Sequence, residues 1–436
     1  MQLLRLAVPA LGVLAAEPLY LLVDTAMVGH LGAVQLAGLS VGSIVLSQVA
    51  QQMTFLSFGT TARAARLHGA GRRTDAVAEG VQATWVALLA GLALLALGQL
   101  LAAPLAGLLA GSAESAAAAV GWLRIALFGA PLVLITMAGN GWMRGVQDMR
   151  RPLRFVLAGN GISAVLCPVL VYGLGWGLNG SAIANVLAQL ISASLFVWAL
   201  RAERVSLKPV PSQLRAQLSF GREVAVMGLA FQACWVSGTA VAAHTSAAAV
   251  GAHQIVFQLW MFLAFVLDAL AIAAQALVGS ALGAGDRDRA SRIAWQVTRY
   301  GLVFGLVLAA LFAALAPVLP SLFTSDPAVL AQIPRAWWFF VALQPIGGIV
   351  FVLDGVLLGA GDAKFLRTAN ALAAFLGFLP VAWASFGLGW GLVGIWSALT
   401  VFVLIRLGNN LTRLRSGRWA VLGAAVPNGL KHAIRR

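Results

Sequence analysis

About twelve apolar runs of roughly 20 residues, each bounded by Gly, Pro or Arg, follow one another along this chain, and that length lets an α-helix cross the hydrocarbon core of a bilayer. They occupy most of the 436 residues, which are 61% hydrophobic and 10% charged, where soluble domains carry about 25% charged residues. A soluble globular fold is excluded. No stretch is long and polar enough for a separate soluble domain, the longest candidate running from about Arg201 to Arg222. The start of the chain, with Arg5 ahead of an apolar run and small residues at Ala15 and Ala16, resembles a secretory signal. It also belongs to the internal repeat described below, and is therefore read as the first membrane helix.

The net charge of +15 is distributed by loop. Arg63, Arg66, Arg72 and Arg73 share one loop, and Arg144, Arg150, Arg151 and Arg154 share the next but one. The alternation continues through Arg201, Arg204, Lys208 and Arg215, then Arg287, Arg289 and Arg292, then Lys364 and Arg367, then the tail from Arg413 to Arg436. The intervening loops carry no Lys or Arg, so the positive-inside rule places both termini in the cytoplasm, and a bacterial plasma (inner) membrane is the expected location. No aromatic platform accompanies the basic loops, and no nucleic-acid partner is expected. The Gly-Ala-Gly segments at 69–71 and 283–285 lack the strand context and lysine of a phosphate loop, so no ATP coupling is expected either. Cys167 and Cys234 lie inside apolar runs, and no metal-ligand spacing is present.

Adding 214 to a residue number returns the same residue type again and again. Gly-Leu-Gly-Trp-Gly-Leu-Asn-Gly at 173–180 recurs as Gly-Leu-Gly-Trp-Gly-Leu-Val-Gly at 387–394. Gly69, Ala70, Gly71, Arg73 and Ala76 recur as Gly283, Ala284, Gly285, Arg287 and Ala290; Gly141, Gly145 and Asp148 as Gly355, Gly359 and Asp362; Thr25, Ala26 and His30 as Thr239, Ala240 and His244. A constant offset through separated motifs indicates two homologous halves. The expected fold is an all-α polytopic membrane protein of twelve transmembrane helices in two pseudo-symmetric six-helix lobes, repeated in parallel. The lobes are expected at 1–205 and 223–412, with a cytoplasmic linker at 206–222 and a basic cytoplasmic tail at 413–436. Bundles of this kind place a substrate cavity at the interface of their halves and work by rocking, which points to a transporter. His30, His68, His244, His253 and His432 are scattered and no convergent catalytic set is present, so an enzyme is not expected.

Charges inside a bilayer are costly and are the first place to look for function. Glu17, Asp24, Asp268 and Asp354 fall inside apolar runs. Glu17 and Asp24 are two helical turns apart and share a face of the first helix, where Pro9 and Pro18 each remove a backbone hydrogen bond and permit a kink. A carboxylate pair on a bendable helix suits an ion switch. In the second half Gly238 stands at the position equivalent to Asp24, so ion coupling is expected in the first half. Gln254, Gln258, Asp268 and Gln275 share a stripe of one second-half helix, able to line a polar cavity or to bond between helices. Asp354, paired by the repeat with Asn140, is read as structural. Few basic residues lie in mid-membrane, which tilts the expected substrate towards organic cations and argues against a lipid-linked oligosaccharide flippase, the alternative of a different class.

These residues resemble the multidrug and toxic compound extrusion (MATE) transporters, specifically their DinF branch, which includes plant organic-acid exporters. The resemblance rests on Val-Asp-Thr-Ala-Met-Val-Gly-His-Leu-Gly at 23–32, Ala252-His253-Gln254 with Gln258-Leu259-Trp260, Leu267-Asp268-Ala269-Leu270 with Gln275-Ala276, and Leu353-Asp354-Gly355 with Gly359. It implies a twelve-helix, two-lobed antiporter in which Asp24 takes up a cation from outside, bends the first helix and expels a small organic substrate. Where many relatives have Asn and Asp four apart before a Pro of the fifth helix, this chain has Ser163 and Cys167 before Pro168, with Asn185 at the nearby Thr position. Together with Asn160 these are the candidate first-lobe cavity residues. The missing second carboxylate favours protons over sodium as coupling ion. No other cofactor is expected, and the chain is expected to work as a monomer in the lipid bilayer.

Overall fold

The structure, a computed structural model, describes residues 2–425, except the side chains of Gln2, Leu4 and Glu17. The described residues form helices and no strand, and twelve of the helices are long and apolar enough to cross a membrane. This is an integral, multi-pass membrane protein. The first six spans are α1 (Gln2–Gly29), α2 (Ala33–Gly69), α3 (Arg73–Leu109), α4 (Ala113–Gly145), α5 (Arg150–Gly173) and α6 (Gly177–Ala202). The second six are α7 (Pro211–Thr245), α8 (Ala247–Gly283), α9 (Arg287–Ala314), α10 (Pro334–Gly359), α11 (Ala363–Gly387) and α12 (Gly391–Ser416). The chain divides into two compact units, Val8–Gly221 and Arg222–Arg436 with Met1–Ala7. His432 and the end of the expected basic tail lie outside the described residues.

The stretch expected as a linker, 206–222, is irregular only as far as Val210, and α7 begins at Pro211. Proline suits a first helical position because its missing N–H has no partner there and its φ is already set. The entry is also tied down: Val210 N donates to Gln82 Oε1 at 2.7 Å, and Gln82 Nε2 donates to the Lys208 carbonyl at 3.0 Å. One turn into α7, Gln217 donates to Glu79, which also holds Arg63 through two hydrogen bonds.

Each unit has its own core. Trp122 and Leu123 pack with Val28 and Leu39 in the first, beside a second cluster around Trp142 and Phe196. Phe340, Trp396 and Phe402 lie at the heart of the second. The sequence repeat has a structural counterpart in both. Gly71 and Gly285 turn at φ +75° and +77°, and Gly175 and Gly389 both at +70°, a region that side chains disfavour, which accounts for the retained glycines of the loop motifs.

Gly355 and Gly359 bring α10 onto α8 so closely that a Cβ on Gly355 would stand 2.2 Å from the Ala271 carbonyl oxygen, and one on Gly359 2.4 Å from that of Gln275. Their repeat partners Gly141 and Gly145 make the same crossing of α4 on α2, against Ser57 and Ala64. Small residues at this spacing are what allow membrane helices to approach closely. Gly355→Ala is therefore expected to cost about 1–3 kcal/mol of stability through overpacking. Thermal unfolding of the purified protein measures it, with Gly408→Ala as the matched control, since a Cβ there meets nothing within 4 Å. Equal melting of the two variants would contradict the close crossing.

Candidate functional site

Asp24 lies on the face of α1 that packs on α5 and α6, and it is 1% exposed. Its Oδ1 accepts a hydrogen bond from Ser181 Oγ on α6 at 2.7 Å and a longer one from Cys167 Sγ on α5 at 3.4 Å. Trp122 Nε1 donates to Ser181 Oγ at 3.4 Å, so the serine hydroxyl is left to point at the carboxylate. One turn earlier on the same face of α1, Tyr20 accepts from Ser163 Oγ at 2.8 Å. Asp24 Oδ2 is buried with no hydrogen-bond partner, and no cation pairs with Asp24 among the described residues.

An ionised carboxylate offers about four acceptor sites. Here one strong donor and one weak thiol donor serve it. Burying an unpaired charge costs several kcal/mol even after relaxation, and a proton on Oδ2 removes that cost. The chemistry on offer is the uptake and release of one small cation. Sodium prefers several hard oxygens. Cys167 supplies a soft sulfur instead, and the Ser163 hydroxyl is directed to Tyr20. Among the described residues no group of three or more His, Cys, Asp or Glu could hold a metal ion.

The helix that carries Asp24 is clamped on both sides of it. Asn160 Nδ2 donates to the Ala16 carbonyl at 3.0 Å, and the Tyr172 hydroxyl donates to the Met27 carbonyl. Tyr172 reaches α1 from a widened turn, Val169–Gly173, which follows Pro168 because proline has no N–H to continue the regular ladder. Pro9 and Pro18 lie inside an unbroken α1. Pro18 falls between the two clamps and removes a hydrogen bond from the segment they hold.

The family model described as MatE matches the chain twice, over residues 9–169 and 224–383. The chain belongs to the MatE family. It is 32% identical to Protein DETOXIFICATION 44, chloroplastic, of Arabidopsis thaliana, over 98% of this chain and 84% of that protein. It is 30% identical to DNA damage-inducible protein F of Escherichia coli strain K12, over 95% of this chain and 93% of that protein. A crystal structure of MATE in the bent conformation superposes with a TM-score of 0.88 at 20% identity, over 96% of this chain and 95% of that one, which shows the common fold. The MATE membership and the DinF kinship expected from the motifs are both found.

In this MatE-family chain the expected first-lobe residues do not all meet. Ser163 and Cys167 join Asp24 and Tyr20, while Asn160 holds α1 backbone and Asn185, one turn beyond Ser181, is half-buried without a hydrogen bond to Asp24. The Glu17 side chain lies outside the described residues. Ser181 and Tyr20, which the sequence did not single out, complete the site. A signal for them was present in the repeat: Tyr20, Asp24, Ser163, Cys167 and Ser181 correspond to Cys234, Gly238, Gly377, Val381 and Ile395. The second unit keeps the geometry and drops the chemistry, for a Cβ on Gly238 would touch Ile395 at 3.4 Å.

The second-lobe residues are dispersed. Gln254 and Gln258 are exposed on α8 and Gln275 is buried at the crossing with Gly359, with Asp268 between. At 1.5 Å per residue Gln254 and Gln275 are about 32 Å apart along the helix. Gln254 and Gln258 share an exposed turn, and Gln275 lies at a different depth. Asp354 is held by Arg406 and by Asn410 Nδ2 at 2.8 Å, both on α12. Arg406 is one of those few basic residues, not singled out in the sequence: it lies inside span α12, its guanidinium 4.9 Å from the ring centre of Phe231 and 5.3 Å from that of Phe402. Because it is neutralised by Asp354, it offers no lining for an anion.

Proposed function

We propose that the chain is a proton-coupled efflux antiporter that exports a small organic solute by alternating access, with Asp24 as the group that carries the proton. The observation that carries this reading is the state of Asp24: buried in a membrane helix, lacking a cation and with Oδ2 unpartnered. Proton uptake at Oδ2 turns the charge-assisted hydrogen bond from Ser181 into a weaker neutral one and adds an O–H donor to the carboxyl, so the contacts that Asp24 can make differ between its two states. The clamps at Ala16 and Met27 with Pro18 between them give the helix a place to bend. The detoxification named in the Arabidopsis relative agrees with export. The basic loops favour cytoplasmic termini in a bacterial inner membrane, with the protein working as a monomer and with no cofactor beyond the coupling ion.

Proteoliposomes of the purified protein test the choice of ion. Solute flux is expected to follow an imposed pH gradient and to collapse when a protonophore dissipates it. Flux driven by a sodium gradient at equal pH on both sides would contradict proton coupling.

A further inference from the structure

The face of α1 next to the Asp24 face borders a cleft of about 350 Å³ shared with α2, lined by Leu21, Thr25, Ser43, Ser47, Gln48 and Gln51 among others. That volume lies in the range of small-molecule sites, about 300–1,000 Å³. Gln51 stands at the midpoint of the 33–69 span, and the helix is interrupted immediately afterwards, at Met53 and Thr54. The repeat counterpart α8 runs through the same point unbroken. Interrupted helices at mid-membrane are a recurring way to build a solute site.

Gln48 and Gln51 are exposed, and the side chains of Ser47, Gln48 and Gln51 make no hydrogen bond among the described residues. Within the hydrocarbon region an exposed primary amide is several kcal/mol too costly to face lipid, so we assign this surface of the apolar span to water or solute. Its polarity is not a demand of the fold. The positions equivalent to Ser43, Ser47, Gln48 and Gln51 in the second half are Phe257, Met261, Phe262 and Phe265.

The described lining points to a class of solute. Among the described residues no carboxylate or aromatic ring lines the cleft to attract an organic cation, and no Lys or Arg to attract an anion. Asp24 does not lend its charge, being 1% exposed and directed to Ser181 and Cys167. What remains is a row of hydroxyl and amide groups at helical spacing, each able to donate and accept.

We propose that the α1–α2 cleft is the solute-binding site and that it takes a polar solute recognised through several hydroxyl or amide groups. This rests on the antiport reading for its role in transport, though not for binding itself. Leu21 and Thr25 line the cleft while Tyr20 and Asp24 face α5 and α6, so a bend of α1 reshapes the cleft as the proton moves.

The test is binding to the purified full-length protein, with uridine, sucrose and inositol as neutral probes, tetraphenylphosphonium as the cation and citrate as the acid. At least one neutral probe is expected to bind, and Gln48→Leu or Gln51→Leu to weaken it about tenfold, the worth of one hydrogen bond of about 1.4 kcal/mol. Gln48→Glu is expected to gain tetraphenylphosphonium binding, a result that misfolding cannot produce. Binding of tetraphenylphosphonium or citrate alone to the wild type, binding of no probe, or neutral binding indifferent to both Gln substitutions would each overturn the assignment. Proton flux measured in parallel separates the two ideas: Gln48-dependent binding of a neutral probe without proton movement would keep the site and remove the antiport.

Discussion

Asp24→Asn is expected to abolish solute-coupled proton flux in proteoliposomes, down to the level of protein-free vesicles, while the protein still folds. Asparagine keeps the size of the side chain and one carbonyl oxygen to accept from Ser181, so the packing of α1 on α5 and α6 is retained. What it lacks is a second state. An amide is neutral at every pH, whereas a carboxyl group has two states, here a charge with one unpartnered oxygen and a neutral acid. Thermal melting close to wild type, together with absent flux, is the expected pair of results. Persisting flux would move the coupling to another group, with Glu17 the next to examine.

The second large effect is expected at the opposite kind of carboxylate. Arg406→Met should leave Asp354 as a buried charge held only by Asn410, and breaking a buried ion pair from one side costs about 3–5 kcal/mol. Replacing both partners, as Asp354→Asn with Arg406→Met, should restore most of that stability, because an ion pair exchanged for neutral groups is often close to neutral. Thermal unfolding of the single and double variants measures the difference. A single variant as stable as wild type would mean that Arg406 is not what neutralises Asp354. The contrast between the two carboxylates is the physical content of the proposal: Asp354 has a cation built into the chain, and Asp24 has none among the described residues.

Much of the fold was open to inspection in the sequence because the bilayer allows so few solutions. Apolar runs of span length with alternating basic loops leave little besides a helical bundle, and the constant offset of 214 identified the duplication that now appears as matching glycine turns and matching helix crossings. Asp24 stood out for the cost of a charge in an apolar run. Its partners did not, because Ser181 is 157 residues away and serine is ordinary in membrane helices. Only a comparison of the halves, Ser181 with Ile395 beside Asp24 with Gly238, exposes it. Arg406 escaped notice between Ile405 and Leu407 because its neutralising partner, Asp354, lies 52 residues away. The interruption at Met53 and Thr54 carries no Pro or Gly to announce it, and the polar face of α2 gained meaning only once Gln48 and Gln51 were found exposed.

The most direct test of the central claim, that Asp24 carries the exchanged proton, is infrared difference spectroscopy of the purified protein as pH is stepped and transported solute is added. The account predicts the carbonyl stretch of a protonated carboxylic acid that disappears when the proton is released and is missing from Asp24→Asn. The same band persisting in Asp24→Asn would place the proton on another carboxyl group and contradict the account.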